Sequence, residues 1–517
     1  MTVNYCLRRA KSFFGDTIAI EDEDRTLTYH EFYAEVERSA RKLAKLGASK
    51  GDRVALLMLN SPEYLELYYS TAMAGALIVP LNTRWHVNEI IFTLSDSGSK
   101  MLFVDERFAA LVPEILNAVP GIQHFIYAGK GSSPSGLLDW KSQADPGVPK
   151  NFPEPDENDV AGLFYTSGTT GGPKGAMLTH RNLYSNAIHS LLPPGGLFSE
   201  GKWLHAAPMF HLADAGAIFG LTLCGSTHCF IPSFDPVAVM RAIERHRIST
   251  LVLVPTMINM VLNHPDLPNY DLTSLRRVVY GASPMPLPVL RHAIDTFRCE
   301  FVQGYGMTEV SPLLTRLQHE DHRFEDADRE FAPVKSAGRA VMGVEVRVVD
   351  HNDQDVAVGQ AGEVIARGPN VMKGYWNRPE ISAEVLRGGW MHTGDLGAFD
   401  EHGFLYILDR KKDMIKPGGE NVYSPEVESM LCAHPAVLEA AIIGIPHETW
   451  GEAIRAVVVT RPDATLSEDE LITWCRERLT HFKCPTSVVF TDGLPKGGTG
   501  KVQKNVLRDK CGGAAAG

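Results

Sequence analysis

The feature that most constrains the fold is an apolar run that leads directly into a loop of glycines, hydroxyl side chains and one lysine. Residues 160–165 are mostly apolar, which predicts a buried strand, and residues 166–175 form the loop. Glycines allow successive backbone N–H groups to turn toward one centre, where they can bind a polyphosphate. The loop differs from a Walker A sequence, because Pro173 precedes the lysine and Gly175 follows it.

The same loop also supplies side chains for phosphate binding. Hydroxyl groups can donate hydrogen bonds, and the lysine contributes a positive charge. The alternative is a flexible, polar surface loop, since most clusters of Gly, Ser and Thr are of that kind. The strand before the loop and the lysine within it favour binding. The candidate residues are Thr166, Ser167, Gly168, Thr169, Thr170 and Lys174.

Short apolar strand patterns alternate with helical patterns along much of the chain. Thr28 and Glu31 have the spacing of a capping box, and the apolar spacing from 32 to 46 predicts the helix that follows. Segments typical of buried strands occur at 53–58, 76–80, 250–254 and 277–280. This alternation predicts an α/β fold with largely parallel sheets.

Later changes of pattern indicate how the chain is divided. With 517 residues, it is too long for one ordinary core. Alternating segments at 345–350 and 362–367 predict a small β subdomain. The residues after 413 have enough helix and strand patterns for a compact α+β domain of their own. We therefore predict a large N-terminal domain of α/β layers at 1–408, a hinge at 409–412 and a small, mobile C-terminal domain at 413–517.

Composition argues against several classes of protein. The net charge of −12 comes from interspersed acidic and basic residues, which favours solubility and argues against a nucleic-acid partner. The eight cysteines are scattered without a C-x-x-C pair, so we expect neither a disulfide framework nor a zinc site. No apolar run approaches the roughly 20 residues of a membrane span, and the first residues lack the apolar centre of a secretory signal. We expect a cytoplasmic protein.

A second motif lies at residues 304–309, after a short strand pattern. An aromatic ring between glycines can lie flat against a purine, a threonine can bind a phosphate, and a glutamate can bind Mg²⁺. The residues concerned are Gly304, Tyr305, Thr308 and Glu309. Alone the motif is weak, since a tyrosine between glycines is usually a packed turn. Together with the first loop it indicates a nucleotide site.

Three shorter segments contain further candidates. Gly281, Ala282 and Ser283 end a strand pattern with small residues, where a ligand can approach the backbone closely. Asp395 follows a tight turn, where a carboxylate can either bind ribose hydroxyls or act as a cap. His211 stands among apolar residues, where a lone histidine is usually part of the core.

Together these motifs resemble the signatures of the adenylate-forming superfamily, which includes acyl-CoA synthetases, luciferases and the adenylation domains of peptide synthetases. The matches run in the same order from about residue 25 to 505. Segments 368–376 and 409–416 look most like those of fatty acyl-CoA and aryl-CoA ligases. This resemblance implies the fold of a large domain followed by a small mobile one.

The resemblance also implies roles for the candidates in the large domain. It implies that Tyr305 faces adenine, that Thr308 faces a phosphate and that Glu309 binds magnesium. The turn at 281–283 would border the adenine and the acyl pocket. His211, in a Pro-x-x-His context, would be a gate or wall of the carboxylate site. Asp395 would bind the ribose hydroxyls.

Further roles implied by the resemblance lie at and beyond the hinge. Arg410 matches an arginine that also reaches the ribose, and Lys412 matches the position about which the small domain turns. Lys501, in the loop at 495–501, matches the lysine that promotes adenylation. A lysine in a Gly-Thr-Gly loop would otherwise be an ordinary solvated charge.

The function implied is that of an ATP-dependent acyl-CoA ligase. It would activate a medium- or long-chain fatty acid or an aromatic acid as an acyl-adenylate, then form a CoA thioester and release AMP and pyrophosphate. Its cofactors would be ATP, Mg²⁺ and coenzyme A. Two adjacent glycines would let the pantetheine arm pass close to the backbone. The candidate CoA contacts are Lys416, Gly418, Gly419, Trp450 and Phe482.

Other functions share these motifs. A stand-alone adenylation enzyme would load a carrier protein, a luciferase-like enzyme would be an oxygenase, and a non-catalytic relative would only bind nucleotide. Small residues among the candidate pocket walls suggest room for a medium or long acyl chain or a ring. These walls are His211, Ala213, Gly216, Ala282 and Met307. A homodimer is the commonest symmetric assembly.

Overall fold

The computed structural model describes residues 1–23, 25–145, 152, 154–166, 173–192, 201–325, 327–329, 331–462, 464–497 and 502–513. Its helices are α1 (Val3–Phe14), α2 (Tyr29–Lys45), α3 (Pro62–Met73), α4 (Val87–Ser97), α5 (Val112–Ala118), α6 (His180–Leu191), α7 (Leu212–Leu223), α8 (Pro236–His246), α9 (Pro255–Leu262), α10 (Leu287–Phe297), α11 (Pro379–Val385), α12 (Ser424–Cys432), α13 (Glu468–Arg476) and α14 (Lys504–Cys511).

The strands follow the same order along the chain. They are β1 (Ile18–Glu21), β2 (Thr26–Thr28), β3 (Arg53–Leu57), β4 (Leu77–Pro80), β5 (Met101–Val104), β6 (His124–Tyr127), β7 (Leu138–Asp139), β8 (Val160–Thr166), β9 (Lys174–Thr179), β10 (Lys202–His205), β11 (Thr227–Phe230), β12 (Thr250–Leu253), β13 (Arg277–Gly281), β14 (Glu300–Gly306), β15 (Leu313–Leu317), β16 (Arg339–Ala340), β17 (Glu345–Val349), β18 (Gly362–Arg367), β19 (Met391–Phe399), β20 (Leu405–Arg410), β21 (Val437–His447), β22 (Gly451–Thr460) and β23 (Ser487–Phe490).

Two large sheets make up most of the N-terminal part. The strand order is β16-β15-β14-β13-β12-β10-β11-β1-β2 in the first sheet and β7-β6-β5-β3-β4-β8-β9 in the second. In the first sheet, the neighbouring strands β14-β13-β12-β10-β11-β1 are parallel to one another. In the second sheet, the same is true of β7-β6-β5-β3-β4-β8. Parallel neighbours need crossover connections, which is why helices alternate with strands here. The α/β prediction is confirmed.

An apolar core joins the two sheets through the helices that lie between them. Helices α1, α2, α3, α6 and α7 pack against one another in this layer. The core combines buried side chains from both sheets with those of the helices, including Leu7, Phe32, Ile78, Phe103, Phe219, Val279 and Val302. Burial on this scale is the main stabilising contribution in a domain of this size.

The helix predicted after residue 28 forms, and its start shows the expected cap. The Thr28 side chain accepts a hydrogen bond from the backbone N–H of Glu31, whose carboxylate accepts one from the backbone N–H of Thr28. This reciprocal pairing satisfies two donors at the start of α2.

Two smaller sheets follow. Strands β17-β18-β19-β20 form an antiparallel sheet, as the alternating patterns predicted. Strands β21-β22-β23 form the last sheet, which packs with α12, α13 and α14 around its own buried side chains. The chain therefore has a large N-terminal α/β part and a smaller C-terminal α+β part. Within the described ranges, none of the helices is both long and apolar enough to cross a membrane.

Candidate active site

The candidate nucleotide residues meet at the carboxyl ends of β13 and β14. These parallel neighbours place Gly281 opposite Gly304. A Cβ atom on Gly281 would lie 2.2 Å from the carbonyl oxygen of Gly304, and one on Gly306 would lie 1.9 Å from that of Pro312. The glycines are therefore needed for close approach of the backbones. This is also the edge of a parallel sheet where ligands usually bind.

The turn after β13 has an unusual backbone. Ala282 has a φ of 68°, in the left-handed region that few non-glycine residues adopt. Ser283 follows it at the start of the connection to α10. Strained backbone of this kind is concentrated at functional sites, which supports the expectation that the turn borders a ligand.

Tyr305, Asp395 and Arg410 form one hydrogen-bonded group. The hydroxyl of Tyr305 donates to Oδ2 of Asp395 over 2.7 Å, and Nε of Arg410 lies 2.7 Å from Oδ1 of the same carboxylate. Asp395 and Arg410 are partners in the register of β19 and β20, which explains why they meet. The Asp395 side chain is only 5% exposed. The carboxylate raises the pKa of Arg410, and burial together with Asp395 raises that of Tyr305.

Glu309, Tyr375 and Lys174 form a second group. Glu309 lies in a 3₁₀ turn (Thr308–Val310) directly after β14 and is buried. The hydroxyl of Tyr375 donates to its Oε1 over 2.7 Å. Nζ of Lys174 lies 5.7 Å from the centre of the Tyr375 ring, within the range of a cation–π contact. Thr308 begins the same turn and is half-buried.

The two arms of the phosphate loop are antiparallel strands. Strand β8 ends at Thr166 and β9 begins at Lys174, and these two residues are partners in the strand register. The predicted phosphate ligands Ser167, Gly168, Thr169 and Thr170 lie outside the described residues. Lys174, at the start of β9, lies beside the ring of Tyr375, whose hydroxyl contacts Glu309.

Glu309 fits the coordination that Mg²⁺ adopts beside nucleotide phosphates. Its Oε1 accepts the hydrogen bond from Tyr375, and no donor in the described part of the chain contacts Oε2. Mg²⁺ in such sites is bound by one or two carboxylates together with substrate phosphates. The described ranges contain no cluster of three or more His, Cys, Asp or Glu residues suited to a metal. A metal bound at Glu309 would share its coordination with the phosphates of ATP.

His211 begins helix α7 as its N-cap residue. Its Nδ1 accepts a hydrogen bond from the backbone N–H of Ala213 over 3.1 Å. In the neutral tautomer the proton is therefore on Nε2, which makes this side of the ring a donor. That arrangement agrees better with a wall or gate residue than with a general base.

The loop that precedes His211 is held by two side chains that sequence analysis did not identify. Asn60 donates to the carbonyls of His205 and Ala207 and accepts from the backbone N–H of Met209, and Tyr68 donates to the carbonyl of Met209. These hydrogen bonds fix the approach to α7. An asparagine directly after a strand pattern was the only signal in the sequence.

Gly216, one of the candidate pocket walls, packs against a neighbouring residue and does not line open space. A Cβ atom on Gly216 would lie 2.7 Å from Cδ of Pro312, so the proline ring already occupies the volume beside this glycine. The absence of a side chain at Gly216 allows α7 to pack against Pro312. It does not enlarge an acyl pocket at that point.

Four of the five candidate CoA contacts lie together in the C-terminal part. The backbone N–H of Gly418 donates to the carbonyl of Trp450 over 2.9 Å, and that of Lys416 donates to Glu452 over 2.6 Å. Gly418 and Gly419 both have positive φ, as the predicted close-approach turn requires. Trp450 is 44% exposed and stacks on His447 at 4.6 Å.

The fifth candidate, Phe482, lies elsewhere in the same part. It belongs to a 3₁₀ turn (His481–Lys483) and packs partly against the core of the last sheet. Its neighbour Lys483 pairs with Glu426 at 2.7 Å. Among the described residues, no hydrogen bond or ring contact joins Phe482 to the turn at 416–420.

Lys412 stands between the two parts of the chain. Lys411, beside it, donates its backbone N–H to the carbonyl of Gly394, and Asp409 accepts hydrogen bonds from the backbone N–H and the hydroxyl of Ser424, both at 2.7 Å. Asp409 belongs to β20, and Ser424 is the first residue of α12. The predicted adenylation lysine, Lys501, lies outside the described residues.

Comparisons with known proteins identify the family of the chain. The family profile described as "AMP-binding enzyme" matches residues 7–376, and that described as "AMP-binding enzyme C-terminal domain" matches residues 426–501. A feruloyl-CoA synthase of an Amycolatopsis species is 40% identical over 499 residues, covering 96% of each chain. A long-chain-fatty-acid–CoA ligase of Mycobacterium tuberculosis is 35% identical over 494 residues, covering 94% of this chain and 93% of that one.

A solved structure shows the same fold over the whole chain. It is the ATP-bound enzyme MatB from Rhodopseudomonas palustris, which superimposes with a TM-score of 0.87 at 32% identity. The superposition covers 99% of both chains.

Proposed function

The chain belongs to the family of AMP-binding enzymes and is an acyl-CoA synthetase, and we propose that its substrate is an aromatic carboxylic acid. The observation that carries the assignment to ATP-dependent activation of an acid is that two groups of charged side chains meet at the carboxyl ends of β13 and β14. Tyr305, Asp395 and Arg410 form one, and Lys174 and Glu309, through Tyr375, form the other. The first suits a nucleoside and the second suits a metal-bound phosphate chain.

The reaction has two steps. In the first, a carboxylate oxygen of the acid attacks the α-phosphorus of ATP, the bond to the bridging oxygen breaks, and pyrophosphate leaves with its electron pair. In the second, the sulfur of CoA attacks the carbonyl carbon of the acyl-adenylate, the thiol proton is lost, and AMP leaves. Each step displaces a good leaving group, first pyrophosphate and then AMP, so no covalent intermediate on the protein is required.

Adenylation brings two anions together, so it depends on electrostatic stabilisation. Mg²⁺ bound at Glu309 would neutralise charge on the phosphate oxygens. We assign Lys174 and Thr308 to the phosphates as well, and Lys501 to the carboxylate and the α-phosphate. The support for Lys174 is its position at the start of β9, beside the Tyr375–Glu309 pair.

The nucleoside is assigned to the first group. Asp395 would accept hydrogen bonds from the ribose hydroxyls. Each of its oxygens has a further lone pair after accepting from Tyr305 and pairing with Arg410. Gly281, Ala282, Ser283 and Gly304 would border the adenine. The strained backbone of Ala282 supports this position.

The second step is assigned to the C-terminal part. We propose the domain boundaries 1–408 and 413–517 and a rotation about Lys412 that exchanges Lys501 for the turn at 416–420. Gly418 and Gly419 would lie beside pantetheine, and Trp450 would contact the CoA nucleotide. The exposure of Trp450 next to that turn supports this assignment.

An aromatic acid is preferred because the feruloyl-CoA synthase is more similar to this chain than the fatty-acid ligase is. A medium- or long-chain fatty acid is the second candidate, since that ligase also matches over nearly the whole chain. The filled space beside Gly216 removes one support for a large acyl pocket and does not distinguish a chain from a ring.

The test is pyrophosphate release with ATP and Mg²⁺ over a panel of acids, with and without CoA. The panel spans benzoate to ferulate and short to long aliphatic acids, and reactions lacking an acid are the control. We expect AMP and an aryl-CoA thioester, identified by mass. Fatty acyl-CoA alone would replace the substrate assignment. Pyrophosphate release without any CoA product would point to a carrier protein as acceptor, and no release from any acid would contradict the function.

A further inference from the structure

A short segment at 372–378, called here the brace, lies against the outgoing arm of the phosphate loop. Lys373 donates its backbone N–H to the carbonyl of Met177, and Met177 donates to that of Gly374. Trp376 donates to the carbonyl of Gly175, and Tyr375 forms an antiparallel bridge with Ala176. The brace therefore pairs alongside β9 through backbone hydrogen bonds, which ties its position to that of Lys174.

The brace also contacts both the backbone and the side chain of Glu309. The backbone N–H of Met372 donates to the carbonyl of Glu309 over 2.8 Å, and the hydroxyl of Tyr375 donates to Oε1 over 2.7 Å. Tyr375 and Glu309 are 8% and 9% exposed. A hydrogen bond to a buried carboxylate is stronger than one in water and restricts the rotation of the carboxylate group.

The far end of the brace is anchored by one residue of α4. The carbonyl of Asp96 accepts from Nε1 of Trp376 and Nδ2 of Asn377. Its carboxylate accepts from Nη2 of Arg378 at 3.1 Å and from the hydroxyl of Tyr165 at 2.7 Å. Tyr165 lies on the incoming arm, one residue before Thr166. Asp96 thus joins the brace to the incoming arm of the loop.

We propose that Tyr375 is a positioning residue that couples the phosphate-loop lysine to the metal-binding carboxylate, so that ATP and its divalent cation bind as one unit. Its hydroxyl fixes Oε1 of Glu309, and its ring lies under Nζ of Lys174. The inference rests on the proposed function of this site. The occupants it concerns are a divalent cation and the phosphate chain of ATP.

The hydroxyl of Tyr375 would position Glu309, and the ring of Tyr375 would position Lys174. Removing only the hydroxyl frees the Glu309 carboxylate but keeps the ring under Lys174. Removing the ring as well withdraws the contact with the lysine.

The test compares Tyr375→Phe with Tyr406→Phe in the full-length protein. Tyr406 is a buried tyrosine that also donates to a carboxylate, Oδ2 of Asp400 at 3.2 Å, in the hairpin of β19 and β20. Binding of ATP is measured by calorimetry without carboxylic acid, once with Mg²⁺ and once with EDTA. Binding of Mn²⁺ to the ATP complex is measured by electron paramagnetic resonance. The melting temperature of each variant reports on folding.

For Tyr375→Phe we expect Mn²⁺ binding to weaken about tenfold, because a hydrogen bond to a charged group is lost. The affinity for ATP in EDTA should change less than about twofold, since the ring contact remains. Tyr406→Phe should match the wild type in both measurements. Tyr375→Leu should additionally weaken ATP binding in EDTA.

Two results would overturn the inference. One is wild-type Mn²⁺ binding in Tyr375→Phe. The other is an equal loss in Tyr375→Phe and Tyr406→Phe, which would indicate a general loss of stability. A wild-type protein that binds no ATP under any of these conditions would instead contradict the proposed function.

Discussion

The part of the site that we assign to ATP, called here the ATP side, and the part that we assign to CoA, called here the acceptor side, are built in different ways. On the ATP side, Asp395 and Glu309 are buried, and each receives a hydrogen bond from a tyrosine. On the acceptor side, the turn at 416–420 is held by hydrogen bonds from its backbone N–H groups, and the adjacent Trp450 is exposed. Buried charges that are fully paired are held rigidly, whereas exposed turns can shift at little cost.

The difference matches the demands of the two steps. A phosphoryl transfer depends on groups already aligned with the developing charge. A thiol acceptor only has to be admitted and oriented after pyrophosphate has left. Substitutions on the two sides should therefore have separable effects, and the following predictions test that separation from the largest effect to the smallest.

Asp395→Ala should have the largest effect. It leaves the hydroxyl of Tyr305 and the charge of Arg410 without their shared partner. The variant also removes the carboxylate that we assign to the ribose hydroxyls. A hydrogen bond to a charged group contributes about 1.5–3 kcal/mol, and we take about 2.7 kcal/mol here. Adenylate formation, followed as pyrophosphate release, should fall about 100-fold. Asp400→Ala, in the hairpin of the same sheet, is the control. Equal losses in both variants would contradict a specific role.

Lys412→Pro should separate the two steps. Proline fixes φ and removes a backbone donor, which restricts rotation at this position. We expect adenylate formation to stay within about twofold of wild type, while thioester formation falls at least about tenfold. The two steps are measured as single turnovers with and without CoA. A parallel loss of both would remove the support for the hinge.

Trp450→Ala tests the acceptor side alone. Loss of an aromatic contact with a nucleotide costs about 1–1.5 kcal/mol, so KM for CoA should rise about five- to tenfold. KM for ATP and adenylate formation should be unchanged. Phe490→Ala removes another exposed aromatic of the same part and serves as the control. An unaltered KM for CoA in Trp450→Ala would place CoA elsewhere.

Ser424→Ala should have the smallest effect. It removes the hydroxyl donor to Asp409 but keeps the backbone N–H donor, so about 1 kcal/mol of the contact between β20 and α12 is lost. If this contact favours the adenylating arrangement, the ratio of the two single-turnover rates should shift about two- to fivefold toward thioester formation. A ratio equal to wild type would show that the contact does not favour one arrangement.

Part of the site could be predicted because its chemistry is local in the sequence. The Gly-Tyr-Gly-Met-Thr-Glu segment and the lysine after the phosphate loop reveal their residue types and spacing directly. Tyr305, Glu309 and Lys174 were identified in this way, whereas the ribose role of Asp395 and Arg410 was implied only by the family resemblance. The structure places these five residues in two neighbouring groups. The α/β class was predictable for a similar reason, because the apolar periods of 2 and 3.6 residues follow from strand and helix geometry.

What the sequence by itself determined is the α/β class, the order of the motifs and the residue types of the nucleotide site. Tertiary structure alone decided which side chains support them. Tyr375 meets Glu309 across 66 positions, and Tyr165 meets Asp96 across 69. Pro312 fills the space beside Gly216 in the same way. No local pattern records such contacts, because they depend on how distant strands and helices pack around a common core.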